Sequence, residues 1–163
     1  MGNGSHIHIR PTSKDDRIYI QNEMIKWWGN EMVVVRGEKY FPADYAGFVA
    51  EYEGEKAGLI ILRFTDTLCE IMSLTTSSAV ASAGKLLVTA AIERATEEGV
   101  QKMIAVTTND NINALRFYQQ MGFTVSAWRK GAVDRSRKIK PSIPLAGNYN
   151  IPIRDEIELE LDL

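Results

Sequence analysis

Between residues 109 and 123 the chain reads Asn109-Asp110-Asn111-Ile112-Asn113-Ala114-Leu115-Arg116-Phe117-Tyr118-Gln119-Gln120-Met121-Gly122-Phe123. The pattern predicts a short helix that begins on an asparagine cluster, stops at Gly122 and hands over to a strand. It carries one phenol, Tyr118. A phenol with a pKa near ~10 can share a proton with a nascent thiolate, whose own pKa lies near ~8.5. Upstream, Ser77-Ser78-Ala79-Val80-Ala81-Ser82-Ala83-Gly84 places small residues ahead of Lys85-Leu86-Leu87. Small residues let an anion approach the free N–H groups and the positive dipole end of the following helix. Glu70 is the best candidate for a general base, and a regular pleat would put it on one strand face with Met72 and Leu74. Each feature has a plainer reading. The small residues can serve steric packing, the asparagines can be helix caps, Tyr118 can belong to a core stripe, and Glu70 can face solvent or an ion-pair partner.

The elements that must position these groups follow from periodicity. Ile7-His8-Ile9-Arg10 alternates like a short strand, and Ser13 can cap a helix from about Lys14 to Trp28 that ends at Gly29. Met32 to Val35 is a strand candidate, followed by a loop through Gly37, Pro42 and Asp44. Phe48–Tyr52 and Ala57–Phe64 are strands joined by the turn Glu53-Gly54-Glu55, and Leu68–Thr75 is a further strand. Val80, Ala83, Leu87, Ala90, Ala91 and Ala95 then recur at helical spacing up to Gly99, and Lys102–Thr107 is a buried type of strand. A strand begins at Thr124, a basic and proline-punctuated connection runs from Gly131 to Arg154, and the chain ends in an alternating strand, Ile157, Leu159, Leu161 and Leu163. The strand-helix-strand unit from 68 to 107 requires a parallel, right-handed crossover. The reading is a mixed α/β sheet, antiparallel early, with one parallel junction.

The small-residue loop and the helix ending Phe117-Tyr118…Gly122-Phe123 together resemble the GNAT superfamily of acyl-CoA-dependent N-acyltransferases. The loop pattern there, Gln/Arg-x-x-Gly-x-Gly/Ala, falls on Ala79, Ser82 and Gly84, of which only Gly84 matches. The resemblance implies a mixed, mostly antiparallel α+β sheet with one splayed parallel strand pair and helices on both faces. It implies that acetyl-CoA is the cosubstrate, held by Ala79, Ser82, Ala83, Gly84 and Lys85 at the helix start. It also implies that Leu74 and Thr75 offer N–H groups to the thioester, Asn113 contacts the pantetheine arm, Asn109 lines the site and Tyr118 protonates the departing thiolate. Glutamates of some relatives lie on the strand of Glu70. The activity implied is acetyl transfer to a primary amine by direct attack, the acceptor being a small molecule or a peptide. The departures at Ala79 and Ser82 keep a second reading in play, a non-catalytic acyl-CoA-binding or regulatory module.

Composition narrows the rest. At 163 residues the chain fits one domain, taken as residues 7–163 behind a tail or tag remnant at 1–6. A net charge of −2 argues against a general nucleic-acid binder, and no apolar run is long enough to span a bilayer. The expectation is a cytoplasmic protein with no metal, since the only histidines are His6 and His8 and the single cysteine is Cys69. Cys69 has no histidine near it to activate it and reads as packing. A lysine-like amine costs about 4–5 kcal/mol to deprotonate at pH 7, so such an acceptor would need a base. The basic run Arg129, Lys130, Arg135, Arg137, Lys138 and Lys140 could meet CoA phosphates, an anionic acceptor or only water. The connection that follows could wall an acceptor pocket, with Trp27, Trp28, Tyr40, Phe41 and Tyr45 opposite, or those aromatics could mark a homodimer contact.

Overall fold

The computed structural model describes residues 6–78 and 80–163. Residues 1–5 of the expected tail, and Ala79, lie outside the described residues. Strands β1 (His8–Pro11), β4 (Gly47–Tyr52), β5 (Glu55–Phe64), β6 (Leu68–Thr76), β7 (Lys102–Thr108), β9 (Glu156–Asp162) and β8 (Thr124–Arg129) form one sheet in that spatial order. Every neighbouring pair is antiparallel except β6–β7. Helices α1 (Arg17–Trp28) and α2 (Ala83–Glu97) pack on opposite faces, and α3 (Ile112–Gln120) joins α2. A short helix, α4 (Ala132–Ser136), opens the long β8–β9 connection.

Local chemistry explains most boundaries. Ser13 accepts the Asp15 N–H and the Asp16 carboxylate accepts the Ser13 N–H, a capping box that launches a 3₁₀ turn and then α1. Gly29, in the left-handed region, closes it. Glu53 and Gly54 both take positive φ, which makes the two-residue turn whose twist suits a β4–β5 hairpin. One stretch departs from expectation. Arg36 and Gly37 also take positive φ, so residues 33–40 form a separate hairpin of β2 (Val33–Val35) and β3 (Glu38–Tyr40), where a single strand and a loop were expected. The Arg36-Gly37 turn has the same form as Glu53-Gly54, but the returning strand β3 is only three residues long, Glu38-Lys39-Tyr40, too short to show a strand pattern.

The final strand β9 inserts between β7 and β8. Its apolar residues Ile157 and Leu159 are fully buried in the α2-side core with Leu87, Ala91, Met103 and Phe123. The alternating acids point the other way, where Arg129 and Arg36 meet Glu156 and Glu158. The second core, on the α1 side, holds Ile20, Met24, Val49, Leu59, Ile61 and Met72.

Gly47 is required by close approach. A Cβ there would lie 1.8 Å from the Ile60 carbonyl oxygen, a backbone atom with no freedom to retreat. Gly47→Ala is therefore expected to cost about 3 kcal/mol in urea unfolding. At Gly84 the nearest atoms would be 3.6 Å away, so Gly84→Ala should leave stability within about 0.5 kcal/mol of the parent.

Candidate active site

Strands β6 and β7 pair only from Leu68↔Lys102 to Ile71↔Ala105. Beyond that step β6 stays with β5 out to Thr76, and β7 stays with β9 out to Thr108. A wedge opens between the two half-sheets. Opposite Ile61 and Leu62 the β6 partners are Ser73 and Ile71, so Met72 is an extra residue, a bulge that bends β6 where the divergence begins. The bulge corrects the expected facing. Glu70 and Met72 share the α1 face, but Leu74 turns to the α2 side, while Ser73 and Thr75 reach α1 through Trp28 Nε1 to Ser73 Oγ (3.3 Å) and Thr75 Oγ1 to Glu23 Oε2 (3.1 Å).

The phase of the β5–β6 ladder decides which amides face the wedge. The Ser77 N–H donates to Ala57 O at 2.8 Å, and hydrogen-bonded pairs alternate along an antiparallel ladder. The Thr75 amide is thereby directed at β5, and those of Leu74 and Thr76 at the open side. Of the two residues expected to meet the thioester, Leu74 directs its amide at the open side and Thr75 directs its amide at β5; the Thr76 amide also faces the open side.

On the α2 side the wedge ends at the start of α2. Ser82 is its N-cap residue without a side-chain cap, Ala83 N–H bonds to Val80 O, and the Gly84 and Lys85 amides have no partner among the described residues. Free amides at a helix start suit an anion. Phe117 packs over Gly84, and Tyr118 lies between Phe117 and Phe123, each ring centroid 5.3 Å away. The Tyr118 hydroxyl makes no hydrogen bond among the described residues. Burial pushes its pKa up, so the phenol stays protonated.

On the α1 side the wedge opens into a cleft of about 540 Å³. Trp27, Trp28, the β2 valines and Met72 form one wall, and Ser142, Ile143, Pro144, Gly147 and Asn148 of the β8–β9 connection form the other. The β8–β9 connection thus lines this cleft, and the two tryptophans belong to the same lining. Tyr40 and Tyr45 pack instead against the α1-side core.

The remaining expected residues fall elsewhere. Glu70 is 1% exposed and outside the cleft lining; its Oε2 accepts both Arg36 and Arg63 at 2.7 Å. A base must reach the proton it removes, and this carboxylate is enclosed by two guanidiniums. Asn109 spends its side chain on Pro152 O and on the Arg154 and Asp155 N–H groups, tying β7 to the entry of β9. Asn113 accepts the Tyr149 hydroxyl at 2.9 Å and is exposed. Within the 109–113 cluster the asparagine that lines the cleft is Asn111, whose Oδ1 caps α3 at the Ala114 N–H; the spacing Asn111-x-x-Ala114 was the signal for it. Sequence reasoning also missed Asp110 beyond its capping type. The basic run is mostly structural: Arg129 pairs with Glu156 and Glu158, Arg137 donates to the Ile143, Pro144 and Ile153 carbonyls, and Lys140 to those of Trp28 and Met32. Burial pushes the Cys69 thiol up to about 12, which leaves no thiolate for covalent catalysis.

Comparison with known proteins places this geometry among relatives. Residues 11–123 match the model of the acetyltransferase (GNAT) family. The Bacillus subtilis (strain 168) protein YxbD is 33% identical over 158 residues, covering 96% of this chain and 99% of that protein. In fold the chain is similar to an IAA acetyltransferase from Bacillus cereus ATCC 14579, with a TM-score of 0.73 at 20% identity over 97% of this chain and 100% of that one. It is also similar to a GNAT family acetyltransferase from Elizabethkingia anophelis with acetyl-CoA bound, with a TM-score of 0.67 at 20% identity over 96% and 98% of the two chains.

The enclosure of Glu70 generates a test. Glu70→Gln should lower stability by about 3 kcal/mol in urea, because it leaves two guanidiniums without their carboxylate. Turnover of the folded variant should fall less than about tenfold, whereas loss of a general base costs about 10²–10⁴.

Proposed function

The chain belongs to the GNAT acetyltransferase family, and on that premise we propose that it is an N-acetyltransferase that moves an acetyl group from acetyl-CoA to a primary amine. The observation that carries the reading is the wedge beyond Ile71 and Ala105, with an anion-ready helix start on one side and an amine-sized cleft on the other.

The residues fit acetyl-CoA on their own chemistry. The free amides of Gly84 and Lys85 suit the pyrophosphate, and Ser82 adds a hydroxyl at the same turn. The N–H and C=O groups of Leu74 and Thr76 suit the pantetheine amides and the thioester oxygen, as a sheet edge takes an added strand. Ala79 stays part of the expected loop by sequence alone, and Asn113 is the proposed outer contact of the pantetheine arm.

The amine enters from the α1 side as its neutral form. Its lone pair attacks the thioester carbon, the N–C bond forms, and the C–S bond breaks with its electron pair on sulfur. The surplus amine proton leaves, and the sulfur ends as a thiol. Tyr118 is the proposed donor to that sulfur. Its raised pKa makes complete proton transfer costlier than for an ordinary phenol, so its main contribution is a hydrogen bond to the developing thiolate. With Glu70 enclosed, no carboxylate of β6 is assigned as base, and the fraction of amine already deprotonated governs the rate.

The defining experiment is acetyl-CoA turnover read as thiol release across primary amines of graded pKa; no release with any amine would remove the transferase reading. Tyr118→Phe should lower kcat by about 10- to 100-fold with acetyl-CoA binding unchanged in calorimetry. The pH profile has a predictable sign. A pKa raised by burial keeps Tyr118 protonated below its shifted value, so kcat/KM should climb as the amine loses its proton and show no fall from Tyr118 up to pH 10. A descending limb near pH 9 that Tyr118→Phe removes would contradict this.

A further inference from the structure

Among the described residues five charged side chains are buried: Asp16, Glu70, Asp110, Lys140 and Glu156. Three are ion-paired. Asp16 meets Arg10 and Lys56, Glu70 meets Arg36 and Arg63, and Glu156 meets Arg129. The other two, Asp110 and Lys140, have no ion-pair partner, and both line the cleft on the α1 side of the wedge. A buried charge without a counter-charge is costly, so the coincidence of both exceptions in one cavity calls for a ligand that carries the missing charges.

Each group has capacity left. Asp110 accepts from the Thr108 hydroxyl on Oδ1 and from the backbone and side-chain N–H groups of Asn148, both 2.9 Å, on Oδ2. A carboxylate has about four acceptor sites, so one remains. Lys140 Nζ donates to Trp28 O at 3.0 Å and Met32 O at 2.8 Å, and an ammonium has three donors, so one remains. Helix ends compensate both in part: Asp110 lies just ahead of α3, and Trp28 is the last residue of α1. A helix end supplies only about half a unit charge. Burial lowers the Lys140 pKa, as expected for an ammonium group short of compensation. The same cleft is lined by apolar and aromatic side chains, Trp27, Trp28, Val34, Met72, Ile143 and Ile153.

We propose that the acceptor is a small zwitterion, an α-amino acid or close analogue with an apolar side arm, its ammonium group docking on Asp110 before it loses a proton to water and attacks as the neutral amine, and its anionic group held by Lys140. This rests on the transferase reading and narrows its substrate class. A monoamine would leave Lys140 uncompensated.

The test compares thiol release for leucine, methionine and phenylalanine with release for their amides, which lack the carboxylate, and for their decarboxylated amines. For at least one side arm the amino acid should exceed both counterparts in kcat/KM by about tenfold or more, the usual worth of one charge-assisted hydrogen bond. The matching des-amino carboxylic acid should inhibit competitively against that amino acid. Lys140→Met should bring the amino acid to amide ratio close to one, and Asp110→Asn should raise KM for all three classes. Where either variant fails to fold, the unmodified protein's preference and the inhibition pattern decide alone. Equal or better turnover of the amides or the decarboxylated amines overturns the proposal and leaves the transferase reading standing. Absence of thiol release with every amine tried overturns the transferase reading instead, and calorimetry of the amino acids on the CoA-loaded protein then decides the zwitterion site separately: binding of an amino acid but not its amide supports it, and no binding overturns it.

Discussion

Once β6 and β7 part, no backbone ladder holds the two half-sheets together, and a partly buried set of three arginines and three glutamates spans the break. Glu70, one step before the last paired residues, takes a guanidinium from β5 and another from the β2–β3 hairpin. The hairpin arginine reaches on to Glu158 of β9, its backbone N–H meets Glu156, and Arg129 of β8 closes the set. Charges of both signs are equal in number, so the cluster compensates itself in a region where unpaired ions are expensive. It also fixes the angle between the half-sheets, because each guanidinium binds partners on different elements. A wedge built from hydrogen-bonded strands alone would tend to zip shut.

Much of this was visible in residue order. The Ser13 cap, the Gly29 stop, the Glu53-Gly54 turn and the β6–α2–β7 crossover are local features, written within a few residues, and the structure contains each of them. The wedge followed from the family resemblance and not from periodicity. What stayed hidden was relational. The bulge at Met72 exists only as a mismatch between two strands, so nothing in the spacing of β6 announces that Leu74 will turn to the other face. The fate of Glu70 depends on Arg36, and that of Lys140 on carbonyls more than a hundred positions away. The place of β9 between β7 and β8 has no local signature either.

The β8–β9 connection shows how a proline-rich segment becomes a wall. Asp110 gathers Asn148 by two hydrogen bonds, and the approach is so close that a Cβ on Gly147 would lie 2.2 Å from its carboxylate oxygen. Arg137 grips three carbonyls of the same segment, and Asn109 pins its far end. Side chains just past the ends of β7 and α4 therefore do for this loop what a sheet ladder does for a strand, and the cleft has a firm boundary without regular secondary structure on that side.

Cys69 lies fully buried beneath α2, with its sulfur held as a neutral thiol far above physiological pH. Cys69 in the folded protein is therefore silent toward thiol-alkylating agents, disulfide-forming dyes and mild oxidants. A coloured disulfide reagent added to a reaction mixture will report sulfhydryl groups liberated from coenzyme A and nothing from the catalyst itself, until the catalyst unfolds and its one thiol joins the signal.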